Sequence, residues 1–152
     1  MAIYTLKELI DWTRNVHGQM ARCLSEAAQR HDNEMTRELL KYLASHELEL
    51  EREVGEFEHQ ASDQELETRE YDYLSWQTKK TFVPCDDRYA NLDHSLISQE
   101  VFDFHNEIIG LYQALARRVV VPEMRQLLEQ LLDMEEAQTR QLASQVGRMA
   151  EL

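Results

Sequence analysis

The chain repeats itself once, and that repeat constrains its fold more than any other feature. His17 and Glu47 stand 30 positions apart, and the pair recurs 88 positions later as His105 and Glu135. The same offset matches Leu24 with Tyr112, Ala28 with Ala116 and Leu43 with Leu131. In each copy the pair sits in stretches whose apolar or small residues return every three or four positions, the spacing of one helix face. Each copy reads as a helical hairpin, and two hairpins are the halves of a four-helix bundle.

The helix bounds follow from the stripes. The first helix is expected at about 5–29, with Leu6, Ile10, Thr13, His17, Met20, Leu24 and Ala27 facing inward. After Arg30-His31-Asp32-Asn33, where Asp32 or Asn33 can cap, a second helix is expected at about 33–60 with Thr36, Leu39, Leu43, Glu47, Leu50, Val54 and Phe57 inward. The third is expected at about 94–118 with Val101, His105, Ile108, Tyr112 and Leu115. The fourth is expected at about 122–150, opened by Pro122 and lined by Met124, Leu128, Leu131, Glu135, Gln138 and Leu142. Only 4 glycines and 2 prolines interrupt 152 residues, so strands find no support. One all-α domain spans 1–152.

Residues 61–93 lack this periodicity and carry Tyr71, Tyr73, Trp76, Phe82 and Pro84. A structureless connection of that length is unusual in a compact domain, so a partly helical crossover packed along the bundle is expected. Two hairpins joined by one long connection define the ferritin-like connectivity. The crossover is expected to make helices one and three parallel, with both short turns at one end.

Composition narrows the partners. Sixteen Lys and Arg against 29 Asp and Glu give a formal charge of -13, which disfavours a nucleic acid or an anionic membrane surface. No apolar run reaches the 18 or so residues of a spanning helix. The segment MAIYTLKELIDW places Lys7, Glu8 and Asp11 where a signal peptide would be apolar. The cytoplasm is the expected compartment. Cys23 and Cys85 form no CxxC pattern and are read as ordinary thiols.

The polar residues inside the stripes carry the functional reading. Each His–Glu pair is centred on its own turn, so all four residues lie about 22 Å from a turn, at one depth. Gln138, one helical turn beyond Glu135, adds a fifth polar group, whereas the equivalent first-half position is Leu50. Buried carboxylates and imidazoles need partners. They bind either a divalent metal (Fe, Zn, Mn or Ni), whose charge two carboxylates cancel, or each other as hydrogen-bonded pairs.

The segments HGQMARCLSEAAQRHDNEMTRELLKYLASHELELEREV and HNEIIGLYQALARRVVVPEMRQLLEQLLDMEEAQTRQL resemble the ferritin-like superfamily, and within it the rubrerythrin-like branch. The resemblance implies a bundle in which each hairpin supplies a Glu from its first helix and Glu-x-x-His from its second, together holding two irons. Glu47 and Glu135 match that pattern. His17 and His105 stand where the first-helix Glu residues would be, and Leu50 and Gln138 stand where the His ligands would be. A di-iron site relies on about four carboxylates, so ferroxidase, peroxidase and iron-storage activities are not expected.

Other patterns are discounted. Glu56-Phe57-Glu58-His59 is a literal Glu-x-x-His off the inner stripe, and His46-Glu47-Leu48-Glu49-Leu50 starts like a zinc-protease motif and fails at Leu50. Tyr112 is expected to donate a hydrogen bond to a Glu of the layer. No catalytic constellation of another class is present, so no catalytic residue is assigned. The sequence leaves two main readings: a protein binding one divalent metal through His17, Glu47, His105, Glu135 and Gln138, or a metal-free bundle serving as an interaction or scaffold module. A remodelled di-metal oxidoreductase drawing on Glu51 or Glu136 is the residual one. A homodimer through whichever face the crossover leaves apolar is the partner the sequence allows.

Overall fold

The computed structural model describes residues 5–62 and 85–150. Within them lie α1 (Leu6–Arg30), α2 (Glu34–Gln60), a short 3-10 helix (Asp87–Ala90), α3 (His94–Arg118) and α4 (Pro122–Ala150). Each of the first three long helices starts at a side-chain cap. Thr5 Oγ1 accepts the Glu8 N–H at 3.1 Å, Asn33 accepts from Thr36 N at 2.9 Å, and Asp93 accepts from Leu96 N at 2.9 Å. Each cap satisfies an otherwise orphaned donor and contributes about 1 kcal/mol. Pro122 opens α4, where its missing N–H costs nothing.

The stripes close on one core. Leu6, Ile10, Met20 and Leu24 of α1 meet Leu39, Leu43 and Val54 of α2, Val101, Ile108 and Leu115 of α3, and Leu128, Leu131 and Leu142 of α4, all buried. The fold is all-α, a four-helix bundle. The aromatic positions Tyr71, Tyr73, Trp76 and Phe82, with Pro84, lie outside the described residues.

The helix directions correct one expectation. Glu34 at the start of α2 and His94 at the start of α3 line one surface groove with Met149 near the end of α4. A similar distance further along each helix, Glu47 meets His105. Thus α2 and α3 are parallel. His17 lies beside Phe104 and His105, while Thr13 meets Tyr112, so stepping back along α1 is stepping forward along α3. Helices α1 and α3 are therefore antiparallel, and the short turns lie at opposite ends. The reason is that α3 begins at the end of the bundle where α2 began. The common depth of the His–Glu layer survives, because a layer about 22 Å from each of two opposed turns falls at mid-bundle.

The cysteines correct a second expectation. Cys23 of α1 and Cys85 form a disulfide with Cα atoms 6.0 Å apart, inside the usual range. Beside it Tyr89 of the 3-10 helix is buried, and His31 Nε2–H donates to the Leu92 carbonyl at 2.7 Å. The end of the crossover is thereby fixed to α1. Sequence spacing hid the bond because fold topology, and no local motif, brings together residues 62 positions apart. Closing a loop of that size restricts the unfolded chain by roughly 4 kcal/mol. Urea unfolding with and without a thiol reductant is expected to show a loss of about that size. Identical curves would mean that the bond does not form in solution.

Candidate metal centre

Four helices each deliver one residue to the layer, and all four side chains are fully buried. His17 is on α1, Glu47 on α2, His105 on α3 and Glu135 on α4. His17 uses both ring nitrogens: Nδ1–H donates to Glu47 Oε1 and Nε2–H to Glu135 Oε1, each at 2.8 Å. His105 Nε2–H donates to Glu47 Oε2 at 2.6 Å.

An imidazole donating from both nitrogens is an imidazolium. Burial by itself lowers the His17 pKa, but the charges of Glu135 and Glu47 and the hydrogen bonds to them outweigh burial and raise it to about 10. Burial likewise pushes the Glu47 carboxyl up, and His105 and His17 together overcome that and hold it well below its ordinary value. The charge on His17 thus sits where two buried carboxylates need one.

One link is missing. Under the 88-residue repeat, the bond from His17 Nδ1 to Glu47 has as its counterpart a bond from His105 Nδ1 to Glu135. Both atoms that would make it, His105 Nδ1 and Glu135 Oε2, are buried with no protein partner. Orphaned buried groups cost about 1–3 kcal/mol each. A third orphan lies next to them. His46, the residue before Glu47, has both ring nitrogens buried and unpaired, with Nδ1 3.8 Å from Glu47 Oε2. His46, Glu47 and His105 each offer one ligand atom within 4.8 Å of the others. Sequence reasoning passed over His46 because it lies off the apolar stripe of α2. The signal was its adjacency to a buried Glu.

Three expected participants lie elsewhere. The Gln138 amide donates to both Glu53 carboxylate oxygens at 3.1 and 3.0 Å, which turns it away from the layer. Glu51 lies over Gly18, and Glu136 faces Arg140 at 3.9 Å, so neither adds a carboxylate to the core. Tyr112 bonds Thr13 Oγ1 at 2.5 Å and not a glutamate. Thr13 donates onward to the Leu9 carbonyl at 3.0 Å, so the Tyr112 hydroxyl is the donor in the first bond. As expected, Glu56 and His59 are exposed. A di-iron centre does not fit this set: the layer holds two carboxylates, and both nitrogens of one imidazole are taken by them. His46, Glu47 and His105 are the group that could hold a metal ion.

Neither a protein-family model nor a curated protein matches the sequence. A solved structure from Thermotoga maritima, provisionally assigned as a ferritin-like diiron-carboxylate protein, is similar over 94% of this chain and 94% of that one. Its TM-score is 0.60 and 15% of residues are identical. That likeness shows the fold, which is ferritin-like.

The buried network predicts a pH profile. His17 has a folded pKa raised from 6.5 to about 10, so its contribution to stability is complete below about pH 6.5 and fades as pH rises through 10. Glu47 has a lowered folded pKa, so its contribution is present above its ordinary value of 4.5 and fades as pH falls below it. His17→Gln should abolish the alkaline loss and destabilise the fold by roughly 3–5 kcal/mol at neutral pH, because two carboxylates lose their buried cation. Chemical denaturation of both proteins from pH 5 to 10 measures this. Parallel profiles would contradict it.

Proposed function

We propose that the protein holds one divalent metal ion in this buried His/Glu layer and that it is neither a ferroxidase nor an iron store. The observation that carries the reading is the set of buried polar atoms without protein partners, His105 Nδ1, Glu135 Oε2 and both nitrogens of His46, around a layer in which His46, Glu47 and His105 each offer a ligand atom within 4.8 Å of the others. A dication bound by imidazole and carboxylate satisfies such atoms, and Fe, Zn, Mn or Ni suits that donor mixture. Of the residues expected from sequence, Glu47, His105 and Glu135 are the proposed ligand candidates. His17 is their charged partner, and Gln138 is left out. With two carboxylates in place of about four, the layer lacks the charge to hold two irons.

A second reading rests on a different observation. His17 already bridges Glu47 and Glu135 as a cation, which is what a metal would do for them. On that reading the bundle is a metal-free interaction or scaffold module.

No helix among the described residues is long and apolar enough to cross a membrane. The cytoplasm, proposed from the polar residues Lys7, Glu8 and Asp11 near the start of the sequence, has one observation against it. That observation is the Cys23–Cys85 bond, since disulfides are rare in reducing compartments.

Elemental analysis of protein purified without chelator is expected to give about one equivalent of metal. Adding Zn, Fe, Mn or Ni to stripped protein should raise its melting temperature, with ligand at 100 times Kd contributing roughly 2.7 kcal/mol. No metal and an unmoved melting temperature would favour the scaffold reading.

A further inference from the structure

We infer that the ion is held off the bundle axis, at the edge between α2 and α3, by His46, Glu47 and His105, with water from solvent as the remaining ligand. This rests on the metal-binding reading above and assigns that ion its protein ligands.

The axial position is blocked by bonding. His17 has no free nitrogen, because one points to Glu47 and the other to Glu135 at 2.8 Å each. Glu47 divides its oxygens: Oε1 takes the His17 N–H, while Oε2 faces His105 at 2.6 Å and His46 at 3.8 Å. An ion on Oε2 therefore has two imidazoles beside it. His17 then acts as the outer partner that orients the ligating carboxylate, a role that commonly accompanies metal ligands.

His46 supplies the independent observation. Both its nitrogens are buried and unpaired, its ring lies 5.9 Å from that of His105, and its side chain is 8% exposed. Nothing in the hydrogen-bond network accounts for a histidine held there. A ligand role does, and the 8% exposure of the side chain, through its carbon atoms, puts the site near the surface. Tyr42, half-buried, lies alongside with its ring 6.3 Å from His46. Two imidazoles and one carboxylate with an open fourth position form a tetrahedral donor set suited to zinc, with bonds of about 2.0–2.2 Å. The set selects a borderline transition-metal dication over Ca or Mg, which take oxygen ligands. The three atoms, now within 4.8 Å of one another, need only side-chain adjustment to surround one ion.

The test is zinc binding to stripped wild-type protein, His46→Ala and Glu135→Gln, measured by competition with a chromophoric chelator. Wild type should bind one equivalent. His46→Ala should weaken binding by at least the roughly 10–100-fold that loss of an outer partner costs, and Glu135→Gln should weaken it less. Zinc-edge anomalous scattering from loaded wild-type crystals locates the ion without any variant and should place it at bonding distance from His46. Zinc bound equally well by His46→Ala, or an anomalous peak on the Glu135 side remote from His46, overturns this assignment and leaves the metal-binding reading standing. No zinc on the wild type, and no Fe, Mn or Ni in its place, removes the metal-binding reading itself.

Discussion

The bundle depends on one charge placed between two others. A carboxylate moved from water into a protein core is costly, and two of them at one depth in a four-helix bundle would drive the helices apart. His17 sits between Glu47 and Glu135 and donates to both at 2.8 Å. The bridge ties α1 to α2 across the first hairpin and to α4 across the bundle, and His105 ties α3 to the same Glu47. Four helices that could slide along apolar stripes are thereby fixed in register at one point.

Around that point the structure is ordinary helix packing. Apolar stripes bury against one another, caps close the helix starts, and the disulfide with the buried Tyr89 fastens the end of the crossover to α1. The layer holds the buried His and Glu side chains of an otherwise largely apolar core, and its departures from two-fold repetition locate the chemistry. His17 makes both of its bonds, His105 makes one, and the unmade bond leaves a buried nitrogen and a buried oxygen without protein partners. His46 has no counterpart in the second half, where position 134 is Met. The repeat therefore predicts a symmetric hydrogen-bonded ring, and the side chains that break the symmetry are those with unspent donors or acceptors.

Much of this was legible in the sequence. Helical periodicity survives even where His or Glu occupies an inward position, so the four helices and the layer can be read from spacing alone. What spacing does not encode is direction, partner choice and rotamer. The crossover could be recognised by its lost periodicity, yet its effect on helix direction required geometry, and α1 and α3 prove antiparallel. Gln138 has the correct register and still turns to Glu53, because a half-buried carboxylate within reach costs less to satisfy than a place in the core. Tyr112 is at the expected depth and chooses the Thr13 hydroxyl. His46 lies one residue off the stripe, and a periodicity argument discards such residues by construction. Cys23 and Cys85 are joined by topology, which no local motif announces.

The central claim is that His17 is a buried cation shared by two carboxylates, which closes the bundle axis to metal. Nitrogen-15 NMR of the histidine rings in metal-free protein tests it most directly. At pH 7 both ring nitrogens of His17 should be protonated and bonded, a state that persists until the pH approaches about 10. A neutral His17 with one bare nitrogen at pH 7 would contradict it, reopening the axial position to a metal ion.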